Sequence, residues 1–305
     1  MLRLAALFIL SLSFATGPAS ADKLAYLELA RQGWNYQLRT TMVGRDMGIR
    51  VHINGRDLAG AALCVVGERP HAQTDEVLEA FRGLLHHSFG KPVPMRYAGP
   101  DARACGSGRT VILRLYSGHP PSSALSADLE WMSEAYRLGL PKGRQYAVSS
   151  PAMGQTFFGY RGQGTHLMVK QPALDYPGTL ERAFYSSILI EELYQAFTFG
   201  MDVLHFDPTV PFLSKLQESP QRMMRLPWES RSFMRALLRS NPGRLCAFDV
   251  FMLHAVGRAP VDQTVEPQFI EYIDTHFDQL TQLAEDTMTD PRFEGIVDRT
   301  CRRPA

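Results

Sequence analysis

From Ser187 to Asp202 the chain reads SILIEELYQAFTFGMD, an apolar run broken by two adjacent carboxylates, Glu191 and Glu192, and then by Gln195. The pattern predicts a long helix from Leu180 to Phe199, introduced by Pro177-Gly178-Thr179 and stopped by Gly200. Phe184, Ile188, Glu191, Gln195 and Thr198 fall at spacings of four and three, so they share one stripe, with Glu192 one position round. Ile188, Leu189, Ile190 and Leu193 crowd the acids. A buried carboxylate costs several kcal/mol unless it is paired, hydrogen-bonded or neutralised. This helix therefore demands a core on most of its sides and a partner for its acids.

The segments before it read as α/β. GWNYQLR, with Trp34, Tyr36 and Leu38 on one side, and GIRVHING both alternate like strands. AALCVVGE and RTVILRLYS are apolar strand candidates, and RQYAVSS and THLMVK are shorter ones. Between them Thr74 reads as an N-cap, followed by Val77, Leu78, Phe81, Leu84 and Leu85 at helical spacing, with Gly90 closing the helix. A further helix is expected around Asp128–Leu138. After Gly200 the chain turns helical, through WESRSFMRALLRS, CAFDVFMLHAV and PQFIEYIDTHFDQLTQLAEDTM. The expected fold is α+β, with three parts: a signal peptide over residues 1–21, an α/β subdomain over 22–200 that ends in the acidic helix, and a mainly helical subdomain over 201–305.

The signal peptide rests on Arg3, an apolar run from Leu4 to Ala15, Pro18 and the triplet Ala19-Ser20-Ala21, with cleavage after Ala21. That run is shorter than the roughly 20 residues a membrane span needs. The mature protein is expected in the periplasm or outside the cell, with no membrane span after cleavage. The four cysteines, Cys64, Cys105, Cys246 and Cys301, agree with export. Four cysteines allow three pairings, and the preferred one keeps each bridge within one half of the chain, Cys64–Cys105 and Cys246–Cys301. A net charge of +1 among 305 residues gives no bulk attraction to nucleic acid or acidic lipid.

The acids admit more than one reading. One is structural, with Arg161, Arg182 or an arginine of the second half as partner. Another starts from spacing. Zinc peptidases of the zincin type carry His-Glu-x-x-His on a helix, with both histidines on the metal and the Glu acting on bound water. EELYQ has this frame, with Glu191 and Gln195 at the histidine positions and Glu192 at the base position. Oxygen donors suit hard ions and zinc prefers imidazole and thiolate, so tight zinc is not expected and the cofactor is left open. Asp202, with His205 and Asp207 just beyond, could complete an oxygen-rich set with Glu191 and Gln195. Elsewhere, ACGSGRT reads as a plain turn, His86-His87 as solvated and His254 as a core histidine. No Gly-x-Ser-x-Gly elbow is present.

Strands, a helix, more strands and then the motif helix also follow the usual order of a zincin's upper subdomain. The stretch from IEELYQAF through MD, HFD and AFDVFMLHAV resembles a family of exported bacterial proteins, a domain of unknown function. That family carries Glu-Glu-x-x-Gln-Ala-Leu-Gly-Leu-x-Asn-Asp, a later Phe-Asn-Asp and a downstream Asp in an apolar helix. Glu191, Glu192, Gln195, Ala196 and Asp202 match it; Thr198 and Phe199-Gly200-Met201 depart from it. The resemblance implies a zincin-like fold with a degenerate motif and supplies no activity. Two functions follow as expectations. The preferred one is a binding or scaffold role toward an exported peptide or protein, without zinc hydrolysis. The other is a metal-dependent, peptidase-like hydrolase with Glu192 as general base.

Overall fold

A computed structural model describes residues 19–34, 60–159, 161–173, 177–223, 225–261 and 267–301. The apolar run of the expected signal peptide lies outside these residues. So do the strand expected over GIRVHING and most of that over GWNYQLR. Trp34, expected on a strand, instead ends helix α1 (Ala19–Trp34).

The fold is α+β, built on a mixed five-stranded sheet. The strands are β1 (Ala62–Gly67), β2 (Met95–Tyr97), β3 (Thr110–Tyr116), β4 (Ala152–Gly159) and β5 (Gly162–Lys170), in the order β2-β1-β3-β5-β4. All neighbours are parallel except β4, which runs antiparallel to β5 at the edge. β1 and β3 are covered on both faces, which explains the apolar sequence of β1 and the mostly apolar one of β3, interrupted by Arg114. Their side chains alternate between two cores. Leu63, Val65, Val111, Leu113, Leu167 and Val169 face the larger, while Cys64, Val66, Ile112 and Met168 face the smaller. RQYAVSS forms no strand, and the hairpin partner of β5 is instead β4.

Helix α2 (Ala72–Phe89) follows β1 and ends at Gly90 with φ 70°, as expected. It starts earlier than expected, with His71 as N-cap. Thr74 lies inside the first turn, where its hydroxyl bonds to Gln171 Oε1 and to Tyr185 OH, both at 2.7 Å. Tertiary partners have taken the hydroxyl that the sequence assigned to capping. Helix α3 (Ser122–Tyr136) covers the smaller core. There Arg114 forks onto Asp128 at 2.5 and 2.7 Å, and His166 Nε2 lies 2.8 Å from the same carboxylate. Burial pushes Asp128 up, but the bonds from His166 and Arg114 outweigh it and hold the carboxyl below its usual range. The Cys64–Cys105 bridge ties β1 to the loop before β3.

Helix α4 (Thr179–Thr198) carries the acids and is buried over most of its surface. Its C-cap is Phe199, at φ 55°, rather than Gly200. Gly200 is needed for space: a Cβ there would run into Leu216 and the Trp34 ring. Trp34 Nε1 donates to Thr198 O at 2.9 Å, so α1 seals the end of α4.

Four helices follow: α5 (Arg231–Ser240), α6 (Ala247–Arg258), α7 (Pro267–Thr275) and α8 (Phe277–Thr289). The last two were expected as one helix and break at His276. A short parallel ribbon, β6 (Val203–Leu204) with β7 (Gln217–Glu218), had no sequence signal. Phe248, Phe251, Leu253 and Phe277 join the larger core beside Leu189, Leu193 and Phe197 of α4. Cys246–Cys301 closes the C-terminal end, and the two bridges fit an oxidising, exported location. No described helix is long and apolar enough to cross a membrane.

Candidate functional site

The acids of α4 meet a lysine, not an arginine. Lys215, in the turn before β7, is 0% exposed; its Nζ donates to Glu191 Oε2 at 2.5 Å and to Ser187 Oγ at 3.1 Å. Asn241, just past α5, adds a second donor to the same oxygen at 2.8 Å. The turn that carries Lys215 is held in turn by Asp249 of α6. Its carboxylate accepts from Ser214 Oγ at 2.5 Å, from Lys215 N at 2.7 Å and from Cys246 N at 2.7 Å. The acid that interrupts the apolar helix α6 is thus an anchor: it satisfies the start of α6 and aims Lys215 at α4.

Gln195 stands one turn beyond Glu191 and donates to Asp202 Oδ1 at 2.6 Å. β6 then follows directly, and its pairing with β7 brings Glu218 alongside. Glu191, Asp202 and Glu218 each offer an oxygen within 4.8 Å of the others, which makes them the one such group among the described residues. Like charges crowd here. Asp202 is pushed up to about 7, first by the protein packed around it and then by Glu191 and Glu218. Its outer edge is open, so water screens part of that effect. Glu218 is raised as well, by burial and by Glu191.

Glu192 points elsewhere, under the edge strand. A Cβ on Gly154 of β4 would overlap its Oε2, so the glycine makes room for the acid. Glu192 is 9% exposed, and that oxygen has no hydrogen-bond partner among the described residues. Burial, then Glu191 and Asp202, push its pKa far above the usual carboxylate range, only partly offset by Lys215.

Of the other residues singled out in the sequence, Thr198 turns its hydroxyl back to Tyr194 O at 2.7 Å. His205 is not in the cluster: its Nε2 donates to Val210 O at 2.9 Å, and its ring packs on Phe212. Asp207 accepts from Thr209 at the surface. His254 is a core residue bonded to Thr287 Oγ1 at 2.9 Å. Lys215, Glu218 and Asn241 were missed, because nothing in KLQES or SNPG distinguishes them from ordinary loop residues.

The residues present do not fit zinc. Among the described residues no imidazole or thiolate joins the cluster. Fold and site together define an α+β protein with a half-buried cluster of carboxylates, an amide and one lysine at the end of its central helix. Comparison of the chain with protein-family models, curated proteins and solved structures finds no match in any of the three.

Proposed function

We propose that this is an exported, zincin-like module that binds an extended peptide or protein segment along β4 without zinc hydrolysis. The observation that carries this reading is the contact between Lys215 Nζ and Glu191. In the zinc-peptidase frame Glu191 stands where the first metal-binding histidine would be, and here that position is taken up by a buried lysine. Glu192, at the base position, is buried under β4, away from the carboxylate cluster. The order of strands and helices before the motif helix, and the helical second half, support the zincin-like assignment.

The geometry of β4 supports a peptide as the occupant. Lys170 N donates to Pro151 O at 2.8 Å, and the two stand opposite each other in the β4–β5 register. Bonded pairs alternate in an antiparallel ladder, so Met153, Gln155 and Phe157 pair with β5. Ala152, Gly154 and Thr156 turn their backbone groups to the other edge, where no further strand lies among the described residues. Such an edge takes an added strand through main-chain bonds. At its Pro151 end a cavity of about 530 Å³ opens, lined by Phe184, Tyr185, Trp228 and Met234, large enough for side chains of the bound segment.

The test is selection of unstructured peptides displayed on phage against the purified chain. Binders are expected to lose affinity at least tenfold against Thr156→Pro, which removes one outward N–H, and when the peptide itself is N-methylated. Failure to select any binder, or binding indifferent to both changes, overturns the reading. Cleavage of a bound peptide that Glu192→Gln abolishes would replace it with the hydrolase.

A further inference from the structure

The carboxylates around the end of α4 are not balanced by the cation they hold. Lys215 is the ammonium that faces them, and its two side-chain bonds go to Glu191 and Ser187. Among the described residues Asp202 and Glu218 receive no charged donor, and Asp202 accepts from the amide of Gln195. A second observation points the same way. Asn241 is 1% exposed and is fastened to Glu191 by its Nδ2, yet its Oδ1 has no hydrogen-bond partner among the described residues. That oxygen shares a carbon with Nδ2, so it lies beside the Glu191 carboxylate that Nδ2 holds. A buried amide oxygen left without a donor costs free energy. It is also a good ligand for a hard cation.

We propose that Glu191, Asp202 and Glu218, with Asn241 Oδ1 as a fourth oxygen, form a binding site for a hard divalent cation, calcium foremost. The three carboxylate oxygens lie within 4.8 Å of one another. Two calcium–oxygen bonds of 2.3–2.6 Å span about 4.6–5.2 Å, so calcium can bridge them as they stand. Magnesium needs shorter bonds and a near-octahedral cage, and zinc needs softer donors. Asp202 is exposed and Glu191 and Glu218 half-buried, so water can complete the coordination shell. The ligands come from α4, the segment after it, β7 and the end of α5. A cation there would therefore join the motif helix to the second half of the chain.

This site is independent of the peptide reading, and its test uses calcium chloride alone with no peptide present. Isothermal titration of the full, chelator-treated chain at pH 7.5 should show one site with a Kd of about 10⁻⁴–10⁻³ M or tighter, the range of extracellular calcium modules. Glu218→Gln and Asp202→Asn should each weaken binding at least tenfold. Should either variant fold poorly, Asn241→Ser at the amide ligand is expected to weaken binding severalfold. No saturable binding up to about 10 mM, a Kd indifferent to all three substitutions, or zinc bound more tightly than calcium in the same titration would each overturn the proposal.

Discussion

Lys215 Nζ and Glu191 Oε2 lie 2.5 Å apart, and the lysine side chain has no exposed surface at all. A fully buried ammonium has few ways to be satisfied, and here a carboxylate and a serine hydroxyl do it. The pair joins α4 to the turn before β7, across 24 residues of sequence. It is therefore a bond between the two halves of the chain as well as the central fact of the site.

Lys215→Met is expected to destabilise the protein by ~3–5 kcal/mol, because it leaves Glu191 buried with one donor fewer. Adding Glu191→Leu to the same chain should recover part of that loss. Denaturant unfolding of the wild type, both single variants and the double variant measures the coupling. A loss that is strictly additive would mean the two side chains do not depend on each other.

Glu192 should make stability depend on pH. Its folded-state pKa is raised, so the folded protein binds this proton more tightly than the unfolded chain does. Its contribution is therefore favourable at acid pH and is lost progressively as pH rises above about 4.5, the unfolded value. His254 has the opposite slope. Burial and the nearby Arg258 and His87 lower it to about 4, so its contribution is lost as pH falls below 6.5. The two windows overlap, so Glu192 is read from the difference between the wild type and Glu192→Gln. The variant should gain on the wild type as pH goes from 5 to 8 in unfolding experiments without added metal. A constant difference across that range would show that Glu192 titrates as an ordinary surface acid.

Gly154→Ala should be destabilising by ~1–3 kcal/mol, the usual range for an added carbon in a packed place. The added Cβ meets Glu192 Oε2, so Glu192→Ala in the same chain should relieve most of that penalty. Equal penalties in the presence and absence of the Glu192 side chain would place the cost in the strand itself.

The disulfides close separations of 41 and 55 residues. Thiol labelling of the denatured, non-reduced protein should find almost no free thiols. Reduction should lower stability by roughly 2–5 kcal/mol per bridge. Quantitative labelling of four thiols in protein taken from an oxidising compartment would contradict the pairing.

Much of the central sheet was readable before the fold was seen, and for one reason. β1 is apolar throughout, and in β3 and β5 the runs VIL and LMV are buried on both faces, so these segments stand out as apolar in the sequence. The same pressure marked α4, where acids stand out because everything around them is buried. β4 was not readable. AMGQTFFG has neither alternation nor an apolar run, and it becomes a strand only because β5 offers it a ladder. Thr74 looked like a cap from its neighbours in sequence, but Gln171 and Tyr185 claim its hydroxyl from about a hundred residues away. Phe199 took the left-handed turn assigned to Gly200, because Trp34 and Leu216 needed the space over the glycine.

The site divides in the same way. Local sequence determined that Glu191, Gln195 and Asp202 come together near the end of one helix, since helical spacing and a short turn leave them little choice, with Glu192 turned to the next face. It determined also that the acids would be crowded by apolar neighbours. Tertiary structure alone decided what they meet. Lys215 arrives because Asp249 holds its turn, Glu218 because β7 pairs with β6, and Asn241 because α5 ends there. These partners carry no mark in sequence, because an ordinary lysine, glutamate or asparagine in a loop becomes part of a site only when long-range packing strips its water and sets a charge beside it.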